Sequence, residues 1–280
     1  MSETETLKPI SPPISIPVLW HSLERKLLAA PRQVRPVGAF VAVLVVWQMA
    51  AWLEIFSSQS FPSPLACLAG LKQVVLDGRL IDYSIASLFR VTVGWYLAVL
   101  VAIPLGLLLG WHPVLHDALN PMLQFLRPIS PLAWIPLAML WFGIGDKPAV
   151  FLIFLASFFP LAVATASAVA NIKKLYLRAA VNMGLSGLKL IVRVVMPATL
   201  PTIIVSLRIS AGIAWLVVVA AEMIAVKSGL GFLIIDARNA LRMDLVVVGM
   251  VAIGVIGIIL DKGIRQLETL PNMRWAIGKQ

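Results

Sequence analysis

The stretch LRAAVNMGLSGLKLIVRVVMPATLP, residues 177–201, lies between two long apolar runs yet carries Arg178, Lys189 and Arg193. Just ahead of it, NIKKLYLRAAVNMG (171–184) sets Ile172, Leu175, Tyr176, Ala179 and Met183 at the i, i+3, i+4 spacing of a short amphipathic helix. Gly184 is expected to end or bend that helix. Ser186 is placed to cap a second one over GLKLIVRVVM, and Pro197 is expected to stop it. The sequence therefore predicts a helix, a turn and a helix projecting between two membrane spans. Ala179, Ala180 and Gly184 leave part of this surface almost without side chains, so the backbone of another protein can approach closely. A solvated connector with interfacial helices is the competing reading of the same residues.

The rest of the chain belongs in a bilayer. Of its 280 residues 60% are hydrophobic and only 13% charged, and the mean hydropathy is +0.94, whereas a soluble domain of this size carries far more charge. The 9 Trp agree, because amphipathic rings favour the headgroup region. The net charge of +10 is read as basic residues beside anionic lipid and in cytoplasmic loops, not as a nucleic-acid surface. A single cysteine, Cys67, excludes an internal disulfide framework and a Cys-based metal cluster and is expected to be a small packed residue. The opening MSETETLKPISPPISIPVLW is acidic and then proline-rich. It lacks the basic and apolar regions of a secretory signal and reads as a cytoplasmic tail.

A helix crossing about 30 Å of hydrocarbon needs roughly 20 mostly apolar residues. Windows of this kind, two of them short, fall near 37–55, 86–111, 128–143, 148–170, 203–226 and 245–260, so an all-α integral membrane protein of about six transmembrane helices is expected. The domain layout is a tail over 1–36, a membrane domain over 37–263 with a cytoplasmic loop at 171–197, and a tail over 264–280. The third window holds Pro128, Pro131 and Pro136. Proline removes donors that lipid cannot replace, so this helix should be kinked or begin late, and its backbone should be buried in protein or line a watery cavity. GIGDKP (143–148) makes a tight hairpin to the fourth window.

Lys and Arg are enriched in cytoplasmic loops. With the N-terminus inside, about 16 of the 23 basic residues are cytoplasmic, among them Arg25, Lys26, Arg32, Arg35, Lys173, Lys174, Arg178, Lys189, Arg193, Lys262 and Arg265. Both termini are then cytoplasmic. The loop with Lys72 and Arg79, and the loop with Asp236, Arg238, Arg242 and Asp244, face the other way.

The spacing inside the opening segment resembles the "EAA" signature of permease subunits from ATP-binding-cassette importers. That signature is an acidic residue, two small residues, three positions, Gly, nine positions, an aliphatic residue, one position, an apolar residue and Pro. Arg178, Ala179, Ala180, Gly184, Val194, Met196 and Pro197 reproduce every spacing, with Arg178 where the family has Glu. FPSPLACLAGLKQVVLDG (61–78), SLFRVTVGWYLAVLVAIPLGLLLGW (87–111), LRPISPLAWIPLAMLWFGIGDKPAVFLIFLASFFPL (126–161) and ISAGIAWLVVVAAEMI (209–224) resemble the branch importing nitrate, bicarbonate, taurine and other sulfonates.

The resemblance implies a type I importer permease fold. It also implies a coupling helix seated in a cleft of an ATPase subunit through Leu175, Tyr176, Arg178, Ala179, Ala180, Met183, Gly184 and Pro197. The salt bridge that a Glu would make is in question here, and docking is expected to rest on shape and apolar contact. The implied partners are ATPase subunits, a second permease copy in a homodimer, an extracytoplasmic substrate-binding protein and the lipid of a bacterial plasma (inner) membrane. No cofactor is expected on this chain. It has no Walker A pattern, so ATP and Mg belong to the ATPase subunits. Nitrate, with nitrite beside it, is the expected cargo, and bicarbonate and taurine or alkanesulfonates are the alternatives.

Gln124, Arg127, Ser130, Trp134, Trp141 and Trp215 are candidates for a weakly polar pathway. A transporter fed by an external receptor needs no tight site, and one that binds too well slows release. Glu222 reads as the one ionisable residue well inside a span. It stands at a gate, or in a fixed hydrogen bond, or near the outer headgroups with Lys227 as its partner. Gly106 and Gly110, Ala162, Ala166 and Ala170, and Ser206, Ser210 and Ala214 have the spacing of closely packed membrane helices. Residues 64–76, with Leu65, Leu68, Leu71 and Val75 on one face, suggest an interfacial helix that supports a docked binding protein or simply anchors the surface. An intramembrane enzyme is disfavoured: there is no HExxH, no GxSxG and no acid pair, and His112 and His116 have too few companions for a metal. A passive anion channel is the alternative class, and it differs in needing no ATP.

Overall fold

The computed structural model describes residues 34–53 and 60–268, which contain helices and no strand. The tails beyond them, with Arg25, Lys26 and Arg32, and the end of the first expected span lie outside the described residues. The chain divides into two compact units at Pro64. In the first, helix α1 (Val34–Trp52) has Trp47 Nε1 donating to the Pro62 carbonyl at 3.1 Å, and the Trp47 ring meets Phe61 edge-on at 6.4 Å.

The second unit begins with α2 (Pro64–Leu76) and α3 (Arg79–Trp111). Next come α4 (Pro113–Leu126), a 3-10 turn (Pro131–Trp134) and α5 (Ile135–Phe142). The chain continues through α6 (Asp146–Ala170), α7 (Lys174–Asn182) and the continuous helix α8 (Gly187–Ala225), then α9 (Leu230–Asn239) and α10 (Met243–Glu268). Cys67 packs as expected, on the buried side of α2 with Gly70 and Val74. Leu65, Leu68 and Val75 stay exposed on the other side. The stretch expected as a loop around Asp236 is α9, and Arg242 then donates to Asp244 in the first turn of α10 at 2.7 and 2.9 Å.

The small residues of α3 fix the topology. Gly94, Ala98, Ala102, Gly106 and Gly110 recur every fourth position and so share one face. A Cβ at Gly94 would lie 2.8 Å from Ile153, at Gly106 2.5 Å from Thr165, and at Gly110 2.5 Å from Val169. The partners advance along α6 as the glycines advance along α3, so these helices run parallel at close approach. The segment between them must therefore return across the bundle. It returns as two pieces, Pro113–Leu126 and Pro131–Phe142, bent by 86°. The expected third span, 128–143, is thus the second half of a bent pair, with the expected kink: after the bend only twelve residues remain, too few to cross about 30 Å alone at about 1.5 Å per residue. The proline-rich turn lies at the bend, where donors are missing.

Among the described residues four helices are long and apolar enough to cross a membrane, or five with the bent pair as one span. Gly145 N–H donates to the Ala225 carbonyl at 3.1 Å, joining the start of α6 to the end of α8. Trp215 Nε1 donates to the Ile253 carbonyl at 3.1 Å, and Arg208 pairs with Asp261, so α10 runs antiparallel to α8. The ends of α3, α6 and α10 and the start of α8 consequently share one end of the bundle. The 171–186 loop belongs to that end.

Candidate functional site

Two regions stand out, one at each end of the bundle. At the loop end, α7 stops where Gly184 takes φ +79°, a conformation that side chains disfavour. Leu185 N–H donates to Ala180 O at 3.0 Å and Gly184 N–H to Val181 O at 2.9 Å. That double bond pattern is a Schellman motif, so the stop expected at Gly184 has a mechanism. Ser186 sits at the start of the next helix, but its side chain makes no capping bond. Of the expected coupling residues, Ala180 is buried. Leu175 (71%), Tyr176 (53%) and Met183 (81%) are exposed, as is the neighbouring Leu188 (78%), while Arg178, Ala179, Gly184 and Pro197 also reach the surface.

Pro197 does not stop the second helix. Residues Ile191–Val195 form a π-turn in which Met196 N–H reaches back five residues to Ile191 O, and the helix runs on to Ala225. The wider turn places Pro197 in the first turn of the α-helical segment that follows, where a missing N–H is tolerated. The second helix of the loop is therefore the end of a membrane span.

At the far end, Glu222 is fully buried on α8. Its Oε1 accepts from Arg90 Nη1 at 2.6 Å, and its Oε2 accepts from Ser87 Oγ and from Gly231 N–H, each at 2.9 Å. Arg90, only 2% exposed on α3, also donates through Nη1 to the Ser228 carbonyl at 2.9 Å, through Nη2 to Ser228 Oγ, and through Nε to Asp146 Oδ1 at 2.8 Å. Leu230 N–H closes the ring on Ser87 Oγ at 2.9 Å. Gly229, at φ +105°, lies so close that any Cβ would overlap the Glu222 carboxylate. One cluster thus ties α3, α6, α8 and the start of α9 together.

The cluster corrects the reading of Glu222. It is not the one ionisable residue inside a span, because Arg90 lies within α3 and Arg208 within α8. Its partner is Arg90, not Lys227. Buried opposite charges with their donors and acceptors filled form a fixed joint: breaking one partner leaves the other charge uncompensated. Arg90, Ser87, Asp146 and Ser228 were missed in the sequence. The signal was present in SLFRV, a lone cation in an apolar span that needs a lone anion in another span.

The pathway candidates fall into two groups. Gln124, Arg127, Ser130, Trp134 and Trp141 follow one another along the bent pair. Gln124 Nε2 donates to Asn120 Oδ1 at 3.4 Å, Arg127 is exposed at the end of α4, and Ser130 Oγ accepts from Leu132 N–H at 3.3 Å. Trp134 packs on the cluster around Ile135 and Val217, and Trp141 is 55% exposed against Phe142 and Phe151. Trp215 and Glu222 are buried on α8, away from these. Trp215 borders a cavity of about 250 Å³ with Trp95, Tyr96, Gly212 and the Arg208–Asp261 pair. Among the described residues no group of three His, Cys, Asp or Glu is placed to hold a metal.

Residues 102–268 match the family model described as "Binding-protein-dependent transport system inner membrane component". The taurine transport system permease protein TauC of Escherichia coli is 35% identical over 83% of this chain and 86% of its own. The nitrate import permease protein NrtB of Synechocystis is 34% identical over 86% and 90%. The bicarbonate transport system permease protein CmpB of Synechococcus elongatus is 33% identical over 86% and 88%. In fold, the chain resembles a subunit of the MetNI methionine ABC transporter solved in inward-facing conformations. The TM-score is 0.53 at 16% identity, over 65% of this chain and 92% of that one.

Proposed function

This chain belongs to the binding-protein-dependent transport system inner membrane component family, as a permease subunit of an ATP-binding-cassette importer, and from that premise we propose that it carries a small anion, nitrate with nitrite beside it. The likeness to a nitrate permease over nine-tenths of that protein's length supports this cargo. The observation that carries the mechanism is the α7 loop, which keeps large apolar side chains exposed and is joined through one continuous helix to the far end of the bundle. ATPase subunits holding ATP and Mg seat Leu175, Tyr176, Arg178, Ala179, Met183 and Gly184, with Ala180 and Pro197 behind them. Their closing and opening drives alternating access.

Two copies pair along the bent segment, where Leu140, Trp141 and Ile144 are 78%, 55% and 71% exposed. In this reading Gln124, Arg127, Ser130 and Trp134 border the shared pathway, while Trp215 and Glu222 hold its wall. Both termini and the loop are cytoplasmic, and an extracytoplasmic binding protein delivers the anion at the other end. Taurine or another sulfonate is the second reading, favoured by the equal likeness to TauC.

The test is uptake of labelled nitrate into vesicles holding this chain, its ATPase subunits and its binding protein, with bicarbonate and taurine as competitors. Saturable nitrate uptake that stops without ATP is the expected result. ATP-dependent uptake of only a competitor would replace the cargo and keep the mechanism. Flux without ATP would instead mark a passive channel.

A further inference from the structure

Residues 147–221 contain no Asp or Glu. Within them Lys173, Lys174, Arg178, Lys189 and Arg193 crowd the α7 loop and the first turns of α8. All five are exposed, and none forms an ion pair among the described residues. Elsewhere Arg79, Arg90, Arg208 and Arg242 each have a carboxylate partner. On α7 the cations are ordered: Lys174 and Arg178 are four residues apart and share a face, and the exposed apolar stripe of Leu175, Ala179 and Met183 runs beside it.

Lipid headgroups could take such a surface, but helix lengths hold the tip away from them. The start of α6 and the end of α8 are level, through Gly145 and Ala225. From there α6 descends about 37 Å and α8 about 58 Å, at about 1.5 Å per residue. A bilayer with its headgroups is about 40–45 Å thick. The loop therefore starts at the headgroups, where Lys173 and Lys174 suit anionic lipid, and hangs about 20 Å lower at Leu188 and Lys189.

Resting on the reading of this loop as the docking element, we propose that the receiving surface of the ATP-hydrolysing subunit is an apolar groove edged with carboxylates, which meet Arg178 and Lys189. The apolar stripe fills the groove, and the cations select the partner. A groove edged with bases would be rejected by like-charge contact, so charge decides which ATPase subunit this permease accepts.

The test uses the complete transporter, full-length chain with its ATP-hydrolysing subunits, in nanodiscs of phosphatidylcholine. A water-soluble carbodiimide activates a carboxyl group. A lysine amine within contact distance then displaces the urea and forms an amide. Mass spectrometry should find Lys189 joined to an Asp or Glu of the ATPase subunit, and Arg178→Lys should add a second link. In parallel, Arg178→Glu with Lys189→Glu should weaken binding of the ATPase subunit about tenfold at low salt and flatten its salt dependence.

Normal binding by that double variant, with binding lost in Gly184→Phe, would overturn the acidic edge and leave the docking site standing. Normal binding by both would overturn the docking reading as well. A double variant that keeps the ATPase subunit but loses the enrichment of phosphatidylglycerol around the full-length chain in mixed-lipid nanodiscs would assign the cations to lipid and overturn the proposal.

Discussion

Arg90 and Arg178 are the same residue type under opposite regimes. Arg90 is buried, with Glu222, Asp146 and Ser228 arranged around its guanidinium. Arg178 is exposed beside other cations and has no ion pair among the described residues. A charge within the span is tolerated when its counter-charge and hydrogen bonds are built beside it, and the price is rigidity. A charge exposed on the surface needs no such partner and remains available to another molecule. The far end of the bundle is therefore a joint, and the loop end is a contact surface.

The largest expected effect tests the joint. Glu222→Ala leaves Arg90 with only Asp146, which is 58% exposed, and an uncompensated buried charge of this kind costs about 3–5 kcal/mol. The variant should melt well below the parent in detergent, or fail to accumulate. Arg90→Met combined with Glu222→Leu removes both charges and should recover most of the loss. A double variant no more stable than Glu222→Ala would show that the joint depends on its specific hydrogen bonds, among them those to Ser87 and Gly231.

The helices and their packing were largely legible before the structure. Gly106 and Gly110, with Ala162 and Ala166, mark close-packing faces by spacing alone, because membrane helices meet through small residues, but which face meets which came from the structure. Gly184 announced the end of α7 because a lone glycine after an amphipathic stretch has one common use. The joint was not legible. Ser87 and Arg90, Asp146 and Glu222 are spread over three helices, and periodicity within one segment says nothing about a partner more than a hundred residues away. The π-turn was hidden for a different reason. Pro197 marks a break, but a break can be a stop or a widened turn, and the sequence pattern is the same for both.

The contact surface is tested by a variant that should be nearly silent in stability. Nothing lies within 4 Å of a Cβ at Gly184, so a side chain there starts out in open space; the positive φ adds about 1–2 kcal/mol of strain. Gly184→Ala carries the same strain without the bulk. Gly184→Phe should lose ATP-driven uptake while melting like Gly184→Ala, since the phenyl ring obstructs only a docked partner. Equal uptake in the two variants would show that the loop is a connector.

The smallest effect separates the parts of the joint from one another. Asp146 is the exposed member of the cluster, at the start of α6 where water reaches it. An exposed ion pair contributes about 0.2–1 kcal/mol, and in Asp146→Asn the amide oxygen can still accept from Arg90 Nε, so little of even that should be lost. Its melting temperature should stay close to the parent's, at low salt and at high salt alike. A fall as deep as that of Glu222→Ala would mean that the cluster acts as a three-membered unit with the α5–α6 turn locked into it. The α6 end would then belong to the rigid joint as firmly as α8 does, and motion in the transport cycle would have to be sought at the bent pair and the π-turn.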